Sequence, residues 1–176
     1  MSKVRLATVW MDGCSGCHMS FLDLDERLLE LAEEIELVYS PLVDRKEFPA
    51  EVDITLVEGA VSSVEDLERL KRIRANSKFL ISLGDCAVTA NVPAMRNPFP
   101  VEKVLDRAYR ENATEKPGPP TEIIPKLLDK AMPLHEAVKV DLFVPGCPPH
   151  RDLIYHVLTE LLQGHTPVLT DARFGA

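Results

Sequence analysis

Four cysteines carry the chemistry that this chain advertises. Cys14 and Cys17 sit three positions apart in Asp12-Gly13-Cys14-Ser15-Gly16-Cys17, directly after the apolar run Val4 to Met11. Glycines beside them let the backbone fold tightly around whatever the sulfurs hold. Such a pair at a strand–helix turn has three ordinary readings: a redox dithiol, half of a zinc site, or part of an iron–sulfur site. The other two cysteines, Cys86 and Cys147, stand alone in Gly84-Asp85-Cys86-Ala87 and Pro145-Gly146-Cys147-Pro148-Pro149.

The elements that must position these residues follow from hydrophobic periodicity. Val4 to Met11 reads as a buried parallel strand. Phe21, Leu24, Leu28, Leu31, Ala32 and Ile35 recur at three and four, which predicts one amphipathic helix from near Cys17 to just before Ile35. Further strands are expected at Ile35 to Tyr39, Asp53 to Gly59, Phe79 to Gly84 and Asp141 to Val144. A helix capped by Ser62 or Ser63 carries Val64, Leu67, Leu70 and Ile73, with acids in its first turn and Lys71, Arg72 and Arg74 in its last. A final helix spans Leu153 to Leu162, with Gly164 placed to end it. Between about 91 and 133 prolines are frequent and no strand pattern shows. That stretch reads as an excursion carrying two short helices, near Val101 to Arg110 and Thr121 to Lys130.

Strands alternating with helices give an α/β fold with a five-stranded, mainly parallel sheet, helices on both faces and the flavodoxin-like order 2-1-3-4-5. The whole chain, 1–176, reads as a single domain. In such a sheet the carboxyl ends of the strands share one edge. Cys14 and Cys17 follow the first strand, Cys86 the fourth and Cys147 the fifth, so all four sulfurs are expected at one end of the sheet.

That placement discriminates between the chemistries. Structural zinc sites favour two close pairs on small knuckles. A redox dithiol leaves Cys86 and Cys147 without a role. One close pair joined by two single cysteines, the last followed by proline, favours a [4Fe–4S] cluster.

Composition excludes other classes. The chain has 20 basic against 28 acidic residues, a net charge of −8, with no basic cluster. Nucleic acid and anionic membrane are disfavoured as partners. No apolar stretch approaches the roughly 18 residues of a membrane span. The first strand begins within a few residues of Met1, which leaves no room for a signal peptide and predicts a cytoplasmic location.

Taken together, the three cysteine-bearing motifs, with Val57-Glu58-Gly59-Ala60-Val61 between the first and second, resemble the small subunit of [NiFe] hydrogenases. The resemblance covers nearly the whole chain in the family's order. The related quinone-reductase subunit carries two adjacent cysteines at the first position, whereas Ser15 and Gly16 separate Cys14 from Cys17 here. The short form most resembles the cytoplasmic, bidirectional, NAD-linked type.

The resemblance implies that Cys14, Cys17, Cys86 and Cys147 ligate one [4Fe–4S] cluster proximal to a NiFe(CN)2CO centre in a large-subunit partner. Diaphorase subunits with FMN and further iron–sulfur clusters would complete H2 + NAD+ = NADH + H+. No residue of this chain would be catalytic in its own right. Glu58 is a candidate proton relay, and His18 a candidate for the relay or for a subunit interface. The alternatives are the cluster-bearing connecting subunit of an NADH:quinone oxidoreductase-like complex and the small subunit of an NADP-linked sulfhydrogenase.

Overall fold

A computed structural model describes residues 3–115, 118–170 and 172–175. Five parallel strands form the main sheet: β1 (Val4–Trp10), β2 (Ile35–Tyr39), β3 (Val52–Glu58), β5 (Ser77–Leu83) and β7 (Leu142–Val144). Their spatial order is β2-β1-β3-β5-β7. Counted within this sheet alone, that is the expected 2-1-3-4-5. The centre is long and the edges are short: β1, β3 and β5 have seven residues each, β2 five and β7 three.

Alternation along the central strands builds a core on each face, because successive side chains of a strand point to opposite sides. Leu6, Ile54, Leu56, Ile81 and Leu83 point to one face. There they meet Phe21 of α1 (Gly16–Leu22), Leu31 of α2 (Arg27–Glu34), and Ile154, Val157 and Leu158 of α7 (Arg151–Leu162). Ala7, Val9, Val57 and Leu80 point to the other face, against Leu70 and Ile73 of α3 (Val64–Ala75) and Leu134 of α6 (Leu134–Ala137). Leu6, Leu80 and Ile81 are completely buried. Each such side chain stabilises the sheet by roughly 1.5–3 kcal/mol relative to exposure.

α3 begins with a reciprocal cap. Ser63 Oγ accepts the Asp66 N–H at 3.0 Å, and the Asp66 carboxylate accepts the Ser63 N–H at 3.0 Å. A cap of this kind contributes about 1 kcal/mol.

Two expectations are corrected. The single helix predicted between Cys17 and Ile35 is broken at residues 23–26, where Asp25 takes a left-handed φ of 51°. Aspartates compete with helical hydrogen bonding through their own side chains, and the chain turns there so that α1 and α2 pack separately on α7. The second helix predicted in the excursion, Thr121 to Lys130, is not formed. Its C-terminal half lies in a strand, β6 (Leu127–Met132), which runs antiparallel to the short β4 (Val61–Ser63). The first helix of the excursion is present as α5 (Val101–Asp106), continued by a π turn over Arg107–Glu111.

β6 is a strand because distant residues complete its hydrogen bonding. Asn97 Nδ2 donates to the Ala131 carbonyl and Asn97 Oδ1 accepts the Ala131 N–H, both at 2.8 Å. Arg96 adds bonds to the carbonyls of Leu128 at 2.8 Å and of Ser62 at 3.2 Å, spanning β6 and β4.

Candidate functional site

The loops leaving β1 and β3 are stitched together beyond the ends of the strands. Met11 N donates to Glu58 O at 2.9 Å, Asp12 N to Ala60 O at 3.1 Å, and Ala60 N to Asp12 O at 2.7 Å. The backbone approach is too close for a side chain at Gly59. A Cβ there would sit 2.7 Å from the Met11 carbonyl carbon, and its φ of 87° suits glycine. Ser62 Oγ donates to the Asp12 carboxylate, which fixes the start of the first cysteine loop.

β5 and β7 deliver the other two cysteines. Gly84 N donates to Val144 O at 2.8 Å, and α4 (Asp85–Thr89) then carries Cys86. Gly84, at φ 83°, stands directly behind the first pair, because a Cβ on it would collide with Cys17 Sγ. Ser20 Oγ of α1 donates to the Pro149 carbonyl at 2.5 Å, tying the first cysteine helix to the Cys147 loop. The Cys147–Pro148 peptide bond is cis.

All four cysteines line one small pocket at the carboxyl edge of the sheet, together with Gly13, Gly16, Glu58, Asp85 and Gly146. Cys14 and Cys147 are exposed, Cys17 and Cys86 partly buried, and all four are free thiols. Burial pushes the Cys17 thiol far above its ordinary value, and the Glu58 carboxylate and the other three thiols push it further. The Cys86 thiol is also raised, first by burial and then by Cys147, Cys14 and Asp12, against a lowering hydrogen bond from the Val92 backbone. Cys17 and Cys86 therefore lie within reach of the charge of the neighbouring cysteines. Four thiolates so gathered need a cationic core to hold them ionised.

Four thiols from three loops lining one pocket are a donor set that fits an iron–sulfur core.

Glu58 and His18 form a buried group beside this pocket, at 2% and 7% exposure. Glu58 Oε2 accepts the His18 N–H at 2.7 Å. The His18 Nδ1 lies 2.9 Å from the same oxygen but is not aligned as a hydrogen bond, so the contact is ionic when the ring is protonated and otherwise leaves Nδ1 unpaired. On the far side, His18 Nε2 is 3.0 Å from Thr8 Oγ1, which donates to Ser40 Oγ at 2.9 Å. The ring thus faces inward. His150 caps α7 by accepting the Asp152 N–H at 3.3 Å, and His156 and His165 are exposed.

Sequence reasoning did not single out Asp85 or Asn91. Asp85 is buried, and its carboxylate accepts backbone N–H groups from two other segments. Asn91 Nδ2 lies 3.9 Å from Cys147 Sγ. Their proximity to Cys86 in the chain was the available signal. Among the described residues, no helix is long and apolar enough to cross a membrane.

The likeness to known proteins extends over the same loops. The family model for the 20 Kd subunit of NADH ubiquinone oxidoreductase matches residues 14–161. The delta subunit of the NAD-reducing hydrogenase HoxS of Cupriavidus necator is 47% identical over 92% of this chain and 80% of its own length. A component of the F420-non-reducing hydrogenase vhu of Methanocaldococcus jannaschii is 38% identical over 94% of this chain, which spans only 58% of that relative. In the crystal structure of an NAD+-reducing [NiFe]-hydrogenase in the H2-reduced state, a chain 42% identical superposes with a TM-score of 0.90 over 95% of both chains. With its four cysteines inside the matched region and 95% of its length superposed, the chain belongs to the family of the NADH ubiquinone oxidoreductase 20 Kd subunit and, within it, to the small subunits of [NiFe] hydrogenases.

Proposed function

We propose that this chain is the electron-transferring small subunit of a cytoplasmic, NAD-reducing [NiFe] hydrogenase, with residues 1–176 acting as one domain that holds a [4Fe–4S] cluster through Cys14, Cys17, Cys86 and Cys147. The observation that carries the reading is the meeting of four thiols from three distant loops in one pocket at the carboxyl edge of the sheet. When bound, the cluster supplies reversible one-electron chemistry between the NiFe(CN)2CO centre of a large subunit and the FMN and further iron–sulfur clusters of a diaphorase.

The chain's own residues hold and shield that carrier. The thiols anchor it, and the backbone at Gly16 and Gly84 comes close to the sulfurs of Cys14 and Cys17. Buried Glu58 Oε2 and His18 Nδ1 lie 2.9 Å apart next to the site, and Thr8 and Ser40 continue the line of exchangeable groups away from it. We assign Glu58 and His18 to proton handling on this ground, with the electron moving elsewhere.

The test is chemical analysis of the anaerobically purified chain. About four irons and four sulfides per chain, with an EPR signal on reduction, are expected. Stoichiometric zinc without sulfide would sink the reading. Cys147→Ala, made in the complete enzyme, should abolish hydrogen-dependent NAD+ reduction while the large subunit keeps its NiFe site. Survival of that activity would remove the cluster from the path.

A further inference from the structure

The Asp85 side chain takes part in none of these steps, yet it is 5% exposed and both of its oxygens are engaged. Oδ1 accepts the Gly146 N–H at 2.7 Å, while the Asp85 N–H donates to the Gly146 carbonyl at 2.8 Å. These two bonds close a ring between the residue before Cys86 and the residue before Cys147. Oδ2 accepts the Gly175 N–H at 2.7 Å, so the chain beyond α7 returns to the same loops.

An acid in the first turn of a helix ordinarily turns toward that helix's own free N–H groups. Asp85 occupies the first turn of α4, but both oxygens go to other segments. A buried carboxylate is unfavourable unless its lone pairs are used, and here backbone donors with little freedom use them. The loops of two cysteines and a third, remote segment are thus referred to one side chain.

We propose that Asp85 is a positioning residue for the metal site, setting the separation of Cys86 from Cys147 and latching the segment around Gly175 to that spacing. What is positioned rests on the cluster reading above; the latch does not. Asp85→Asn keeps the shape but has one acceptor where two are needed. Asp85→Ala has none.

The full chain, purified anaerobically as wild type and as both variants, distinguishes these roles. Trypsin cleavage after the exposed Arg173, followed by mass spectrometry, should speed up by roughly tenfold or more in Asp85→Ala, because the charged hydrogen bond holding the segment is lost. The reduced-cluster EPR line shape should change in Asp85→Ala, and a chelator should bleach its cluster several-fold faster. A purely structural role would lower the unfolding midpoint without moving the line shape.

Unchanged cleavage in Asp85→Ala overturns the latch, and unchanged line shape and bleaching there overturn the positioning role. If Asp85→Ala fails to fold, Asp85→Asn decides: its single acceptor serves one segment only, so cleavage or line shape must change, and no change in either overturns the proposal. If the wild-type chain holds neither iron nor sulfide, the cluster reading fails instead, and the cleavage rate still decides the latch.

Discussion

Glu58 accepts the backbone N–H of His18 through Oε2, the atom that also lies 2.9 Å from the His18 ring. One oxygen at the end of β3 therefore fixes both the main chain and the side chain of the residue after Cys17. Glu58→Ala would leave a buried N–H without an acceptor and should lower stability by about 1–3 kcal/mol. Glu58→Gln retains an acceptor of the same shape and should recover most of that loss in urea unfolding. Equal losses in the two variants would mean that the charge, not the hydrogen bond, organises this corner.

Asn91 offers a side-chain donor to a proposed ligand sulfur, its Nδ2 lying 3.9 Å from Cys147 Sγ. Donors to thiolate sulfur stabilise the more negative, reduced state of a cluster. Asn91→Ala should move the midpoint potential to a more negative value while leaving the iron content unchanged, as read by EPR-monitored redox titration. An unaltered potential would reduce Asn91 to a loop residue.

Asp141 at the start of β7 gives a pH-dependent prediction. Burial raises its carboxyl, but hydrogen bonds from the Leu80 N–H, Arg74 and Lys139 outweigh burial and hold it below its ordinary value. A carboxylate depressed in the folded state contributes stability above its unfolded pKa, near 3.9, that is lost as pH falls through the lower folded value. Asp141→Asn should therefore cost about 1–3 kcal/mol at pH 7, and the difference from wild type should shrink as pH falls from the unfolded pKa through the lower folded value. Urea midpoints across that range measure it; a pH-independent difference would contradict the assignment.

Asn97 imitates a strand against β6, giving and taking one hydrogen bond with Ala131 at 2.8 Å each. Asn97→Ala should remove hydrogen-exchange protection from the Ala131 amide and from little else. Asn97→Asp keeps the acceptor but sets an oxygen against the Ala131 carbonyl, so it should be no better than alanine. Retained protection at Ala131 in both variants would show that β6 stands by its pairing with β4 alone.

The contrast between β1 and β6 shows what the sequence makes legible. Leu6, Ala7 and Val9 lie in a continuous apolar run, and a buried parallel strand needs little else, so β1 and the cysteines that follow it can be read directly. Leu127 to Met132 carries no such period. Its strand depends on Ser62, Asn97 and Arg96, which lie far away in the chain and are invisible to a local pattern. The break at Asp25 was hidden by apolar residues that keep helical spacing across it. Cysteines after strand ends announced the site because their positions are set by the sheet. Asp85 did not, since its partners are backbone N–H groups that any residue would supply.

The lengths of the sheet's outer strands carry a consequence for how the molecule meets its own copies. The seven-residue strands are all interior, and the open edges are five-residue β2, whose pairing with β1 shifts register after Leu6, and three-residue β7. Long, flat, unpaired edges template strand addition and aggregation. With a broken edge on one side and three residues on the other, the main sheet gives a second copy little backbone to join. The cysteine loops thus stand at one end of a sheet whose long strands are all covered by neighbours.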